Sequence, residues 1–171
     1  MKNDISAIGN ALVDTVFKVP HELITELGLE IDQMTLSSPE EQAPIISRLI
    51  QSGAETVSDC GGSATNSLVA AASYGASCFH ACKVTNDEDG NRYLESLKEA
   101  GVSHKGEMAS ADSMPTGKCL ILVTPDAKRT MTTSLSVSSF MGSQDLDLKD
   151  FEFTAPIGLH GDAGAFTHQD S

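Results

Sequence analysis

The sequence predicts an α/β layered fold, and three observations carry that expectation. Short β-type runs alternate with segments of helical periodicity through most of the chain. Glycines stand where the helical segments should stop, at Gly28, Gly53, Gly75 and Gly101. Polar extended segments near 12–18, 33–37 and 103–109 do not read as buried strands, and a second, small sheet is expected from them.

Residues 5–9 read as the first strand, ending in a turn at Gly9-Asn10. Leu12, Val13, Thr15, Val16 and Phe17 make a second extended run closed by Pro20, and a short polar helix follows over 21–27. Residues 33–36 read as a strand. The next helix is the best marked: Ser38 as N-cap, Pro39 as its first residue, and Glu41 completing a capping box. Ile45, Ile46, Leu49 and Ile50 form its apolar face. Residues 55–58 lead as a strand into Cys60-Gly61-Gly62-Ser63, where Ser63 is placed to cap an alanine-rich helix. Residues 77–84 are a strongly apolar strand, and Asp87 caps a helix bearing Tyr93, Leu94 and Leu97. Residues 102–109 follow as an edge strand. Residues 119–123 form the most apolar strand, turning at Pro125-Asp126-Ala127-Lys128 into 130–133. Beyond about Asp150 neither period is visible, so 1–150 is read as the domain and 151–171 as an atypical tail.

A chain of 171 residues suits one domain, or part of a larger two-lobed protein. Its formal net charge of −13 argues against a nucleic-acid partner, because no basic stripe is present to displace counterions from phosphates. No apolar run reaches membrane-span length and the N-terminus lacks a signal-type core, so a cytoplasmic location with no membrane partner is expected. The four cysteines form no CxxC pair and read as buried thiols rather than disulfides or metal ligands. His80 alternates with apolar residues and reads as a satisfied core histidine. His160, Asp162, His168 and Asp170 have no spacing that organises a metal site, and no metal ligand is assigned.

Two motifs carry chemistry. Gly61-Gly62-Ser63-Ala64-Thr65-Asn66 sets bare backbone before a helix, a geometry that lets hydroxyls or anions approach closely. Gly9-Asn10-Ala11-Leu12-Val13-Asp14 places a carboxylate just after the first strand, able to accept two hydrogen bonds from vicinal hydroxyls. With Val84-Thr85-Asn86-Asp87, Gly90, Thr116-Gly117 and Asp126-Ala127-Lys128-Arg129-Thr130, their order resembles the N-terminal half of a ribokinase-like carbohydrate or nucleoside kinase. Adenosine kinase and bacterial sugar kinases are the nearest forms, and the resemblance runs from about Ile5 to Ser139.

That resemblance implies the N-terminal part of a three-layer α/β/α domain with a small β-sheet lid. It implies ATP-dependent phosphorylation of a hydroxyl on a sugar or nucleoside, with ATP and Mg2+ as cofactors. Asp14 becomes the sugar-binding carboxylate and Asn10 shapes its loop. Gly61, Gly62 and Asn66 offer backbone and amide contacts to the same hydroxyls, Gln33 lies on a lid strand, and Arg129 faces the transferred phosphate. Thr85 departs from the pattern, standing where relatives carry glycine. The family's catalytic base lies in a C-terminal Gly-Ala-Gly-Asp turn, and this chain is expected to lack it: Gly161-Asp162-Ala163-Gly164 has the wrong order, so no catalytic residue is assigned and the chain alone is expected to be inactive. The alternatives are a non-catalytic binding module that forms a homodimer through lid strands, and an aberrant product altered near Asp150.

Overall fold

The computed structural model describes residues 3–110, 114–147 and 158–160, and their strands fall into two sheets. One is wholly parallel. Its β1 (Ile5–Ile8) lies beside β5 (Cys78–Thr85), with β6 (Val102–Ala109) beyond it, and on its other side pairs with β9 (Gly158–His160). The second is mixed, in the order β3 (Met34–Leu36), β8 (Arg129–Ser134), β7 (Gly117–Val123), β2 (Leu12–Lys18), β4 (Thr56–Gly61).

Parallel strands need covered faces. On one face of β5, Cys78, Cys82 and Val84 pack with Leu68 of α3 (Ser63–Ser73) and with Tyr93 and Leu97 of α4 (Glu88–Glu99). On the other, Lys83 reaches the segment beyond β8: its ammonium lies 3.1 Å from Asp145 and donates to the Phe140 carbonyl. Asp145, almost fully buried, also accepts the Gly142 N–H at 2.8 Å, so this buried charge pair is well solvated by protein.

The mixed sheet packs its helices on one face. Phe17, Leu120 and Leu122 pack under Leu23 and Ile24 of α1 (His21–Glu26) and Leu49 of α2 (Pro39–Gln51). The capping box at the start of α2 is formed as expected, with the Ser38 hydroxyl accepting from Glu41 and the Glu41 carboxylate accepting from Ser38 N–H. Gln42, buried on the sheet-facing side of α2, donates to the Thr132 and Lys118 carbonyls and so clamps helix to sheet.

Four expectations are corrected. Residues 103–109 do not join the small sheet: β6 pairs along its whole length with β5, as the βαβ crossover through α4 requires. Its polar residues reflect an edge position, and Gly106 is bare because the Leu94 side chain fills the space a Cβ would take. The hairpin of β7 and β8 supplies the small sheet instead. Secondly, β4 runs on through Asp59 and Cys60 to Gly61, because Leu12 and Val13 pair with Gly61 and Cys60. Thirdly, the α3 N-cap is Gly62, not Ser63; its φ of +99° turns the chain one residue earlier. Finally, His80 is buried with no partner at either ring nitrogen: His104, opposite it on β6, does not bond it, and the Tyr93 hydroxyl is bonded to Thr65. Most of the tail 151–171 lies outside the described residues.

Candidate acceptor site

Where the two sheets meet, β1 hands over to β2 through Gly9-Asn10, and β4 hands over to α3 through Gly62. These two crossings touch backbone to backbone. A Cβ on Gly62 would lie 2.7 Å from the Asn10 carbonyl oxygen, and one on Gly9 would lie 2.7 Å from the Ala64 Cβ. Neither contact survives a larger residue.

Asp14 follows at the second position after Leu12 on β2, so both side chains face the same way. Register places it opposite Asp59 of β4 and Cys119 of β7, with Thr133 of β8 and Leu36 of β3 continuing the row. Its carboxylate leans along the strand rather than toward Asp59. It occupies the volume above Gly61, where any Cβ would overlap both carboxylate oxygens. Two acids directly opposite on antiparallel strands repel, and the bare Gly61 gives Asp14 somewhere else to go. Asp59 satisfies itself locally, accepting the Cys60 N–H at 2.8 Å.

Asn10, Asp14, Gly61 and Gly62 are therefore brought together. Asn66 stands one turn into α3, exposed, its N–H bonded to the Gly62 carbonyl at 2.9 Å. Arg129 begins β8 on the same face as Thr133 and is exposed. Four residues of strand and two strand spacings separate it from Asp14, roughly 16 Å between backbones. Gln33 is not part of the group: it precedes β3 at the far edge of the sheet, exposed, its carbonyl accepting the Met131 N–H.

Cys119 and Thr133 escaped sequence reading. Nothing in the run Lys118-Cys119-Leu120-Ile121 marks the thiol as a neighbour of Asp14; only strand register does. Burial pushes the Cys119 thiol above its ordinary pKa; the Thr133 hydroxyl, which donates to Sγ at 3.2 Å, and the Arg129 cation oppose this, while Asp14 adds to it. Burial also raises Cys60, with Asp59 adding to it. Both thiols are protonated at neutral pH, and neither is a nucleophile.

A hydrogen-bonded hinge lies beside this group. Asp87 caps α4 at Gly90 N–H (2.7 Å) and also accepts from the Thr116 hydroxyl (2.7 Å) and N–H (2.8 Å), just before β7. Lys118 pairs with Asp89 at 2.7 Å. Thr85, at its unusual position, uses its hydroxyl to bond the Met114 carbonyl.

The sequence model of the pfkB family carbohydrate kinases matches residues 30–159, more than half of the chain. The chain belongs to the pfkB family. Mouse ribokinase is 34% identical over 86 residues, which cover 50% of this chain and 26% of that protein. Among solved structures, adenosine kinase from Sinorhizobium meliloti superposes with a TM-score of 0.73 at 28% identity, over 86% of this chain and 43% of that one. Adenosine kinase from Schistosoma mansoni, in complex with 2-fluoroadenosine, has a TM-score of 0.76 at 16% identity, over 88% and 44% of the two chains, a likeness of fold. This pfkB chain thus spans less than half the length of these relatives. Its α/β fold with a separate mixed sheet is the ribokinase-like one.

Proposed function

We propose that this chain is the acceptor-binding part of an ATP-dependent phosphotransferase acting on a hydroxyl of a sugar or nucleoside, adenosine-like in its acceptor. The observation that carries the reading is the carboxylate of Asp14 held over Gly61, beside the Gly62–Asn10 contact and on the face of the mixed sheet away from α1 and α2. In this reading Asp14 accepts hydrogen bonds from two vicinal hydroxyls, which orients the acceptor and leaves a third hydroxyl to react. Gly62 and Asn66 contact the same polyol from the start of α3. Gln33 lies at the rim, beside the edge strand β3, which two strands separate from β2.

ATP, when bound, supplies the phosphoryl group. Arg129, exposed on the Asp14 face of β8, is the cation assigned to meet its charge. Among the described residues no group of three His, Cys, Asp or Glu could hold a metal, so no step is assigned to Mg2+. No described residue is assigned as general base, and Asp162 lies outside the described residues. In this reading the chain alone binds acceptor without turnover. A cytoplasmic setting and a small-molecule rather than nucleic-acid partner belong to the same reading, supported by four free cysteines and the net charge of −13. Among the described residues no helix is long and apolar enough to cross a membrane.

Calorimetric titration with adenosine and with ribose tests the proposal. Binding of at least one is expected, with a loss of about tenfold or more in affinity for Asp14→Ala, the cost of a charged hydrogen-bond pair. Equal affinity in wild type and Asp14→Ala would remove the acceptor reading, and phosphoryl transfer by the purified chain would remove the claim of inactivity.

A second reading, assembly through the mixed sheet, has its own support. Met34 and Leu36 on one edge strand and Val57 on the other are 55%, 63% and 70% exposed. Apolar residues on unpaired edges favour self-association.

A further inference from the structure

Tyr93 belongs to α4, but its hydroxyl lies within the first turn of α3, 2.5 Å from the Thr65 hydroxyl. Both side chains are fully buried. Thr65 is the third residue of α3, and its oxygen sits 3.5 Å from the point a Cβ on Gly62 would occupy. At that helical position a polar side chain ordinarily turns back toward the N-cap. Here the Thr65 hydroxyl is bonded instead to Tyr93, from α4.

We infer that Tyr93 is a positioning residue for the Gly62 turn, acting through Thr65. The other end of α4 explains what it positions the turn against. Asp87 ties the start of α4 to Thr116, and Thr116 leads directly into β7, which carries Cys119 beside Asp14. A rigid helix thus joins the strand next to the acceptor carboxylate to the turn that faces it. The β2–β4 pairing already holds those two halves together, and the buried hydroxyl pair and the cap add a second tie through α4. The inference rests on the reading that the Gly62 turn contacts the acceptor.

The test uses the 171-residue chain in four forms: wild type, Tyr93→Phe, Thr65→Val and the double variant. Phenylalanine keeps the ring and its packing but leaves the Thr65 hydroxyl buried without its partner. Two quantities are read, the affinity for adenosine by calorimetry and the exchange rate of the Asn66 amide, which is bonded to Gly62. Each single variant is expected to weaken binding and speed Asn66 exchange by about tenfold, and the double variant to return within about twofold of wild type, because removing both partners leaves no orphan. Unchanged exchange at Asn66 in Tyr93→Phe overturns the inference. So does exchange that rises equally throughout α4 and β5, since that is general loosening rather than a local effect. If the wild type binds neither adenosine nor ribose, the proposed function fails instead, and the Asn66 exchange pattern still decides whether Tyr93 sets the turn.

Discussion

Gly61 shows how a single missing side chain shapes a site. Its φ is not in the left-handed region, so no backbone rule demands glycine; the demand comes from the Asp14 carboxylate that fills its side-chain volume. Gly61→Ala should therefore cost little stability, about 1 kcal/mol, because the end of a side chain can move aside. It should nevertheless abolish acceptor binding, because the displaced group is the one proposed to bind. A thermal melt near that of wild type with no calorimetric response is the expected pair of results. His80 makes the opposite kind of prediction. Burial, with His104 adding to it, lowers its pKa to about 4 from 6.5. The unfolded chain then binds the extra proton first, so the contribution to stability is complete above pH 6.5 and is lost as pH falls toward 4. Between pH 7.5 and 5 this one residue should remove about 2 kcal/mol. Denaturant titrations of wild type and His80→Leu at the two pH values isolate it: the variant should lose less on acidification, and parallel losses would mean the imidazole is solvated.

Helix starts are the elements that hold the site in place, and they differ in reach. The Ser38 cap stabilises α2 alone, and Ser38→Ala should cost about 1 kcal/mol. Asp87 caps α4 and also holds Thr116 by two bonds, so its loss reaches the strand beside Asp14. Asp87→Ala should cost about 3 kcal/mol, and denaturant midpoints of the two variants give the comparison directly. Local sequence was a sound guide to these helices. Ser38, Glu41, Asp87 and the stop glycines are short-range signals, and each acts within one turn of its own residue. The strands were harder. Whether 103–109 or 117–123 joins the mixed sheet depends on which partner strand is adjacent, and partner choice leaves little mark on the strand itself.

At the scale of the molecule, two sheets with unequal cover set the behaviour in solution. The parallel sheet is buried on both faces of β5, whereas the mixed sheet ends in exposed β3 and β4. Association through those edges should appear as a concentration-dependent mass in sedimentation equilibrium. Leu36→Lys with Val57→Lys should hold the chain monomeric, since an edge lysine opposes strand pairing. A wild-type chain that is monomeric at all concentrations would dispose of the assembly reading.

Asp14 and the Gly61-Gly62 pair were visible as residue types with a chemistry, because a carboxylate after a strand and a glycine pair before a helix are local patterns. Their meeting was not visible, and neither were Cys119, Thr133 or the Tyr93–Thr65 bond. The amino-acid order alone settles the family and the Ser38 and Asp87 helix starts, and it names the candidate acceptor residues, since each depends on neighbours a few positions apart. Tertiary structure alone decides which face Asp14 shares, that its carboxylate lies over Gly61, and that Gln33 stands apart. The reason is physical: register and crossover bring together residues distant in the chain, and side-chain alternation repeats every two residues whatever strand lies alongside.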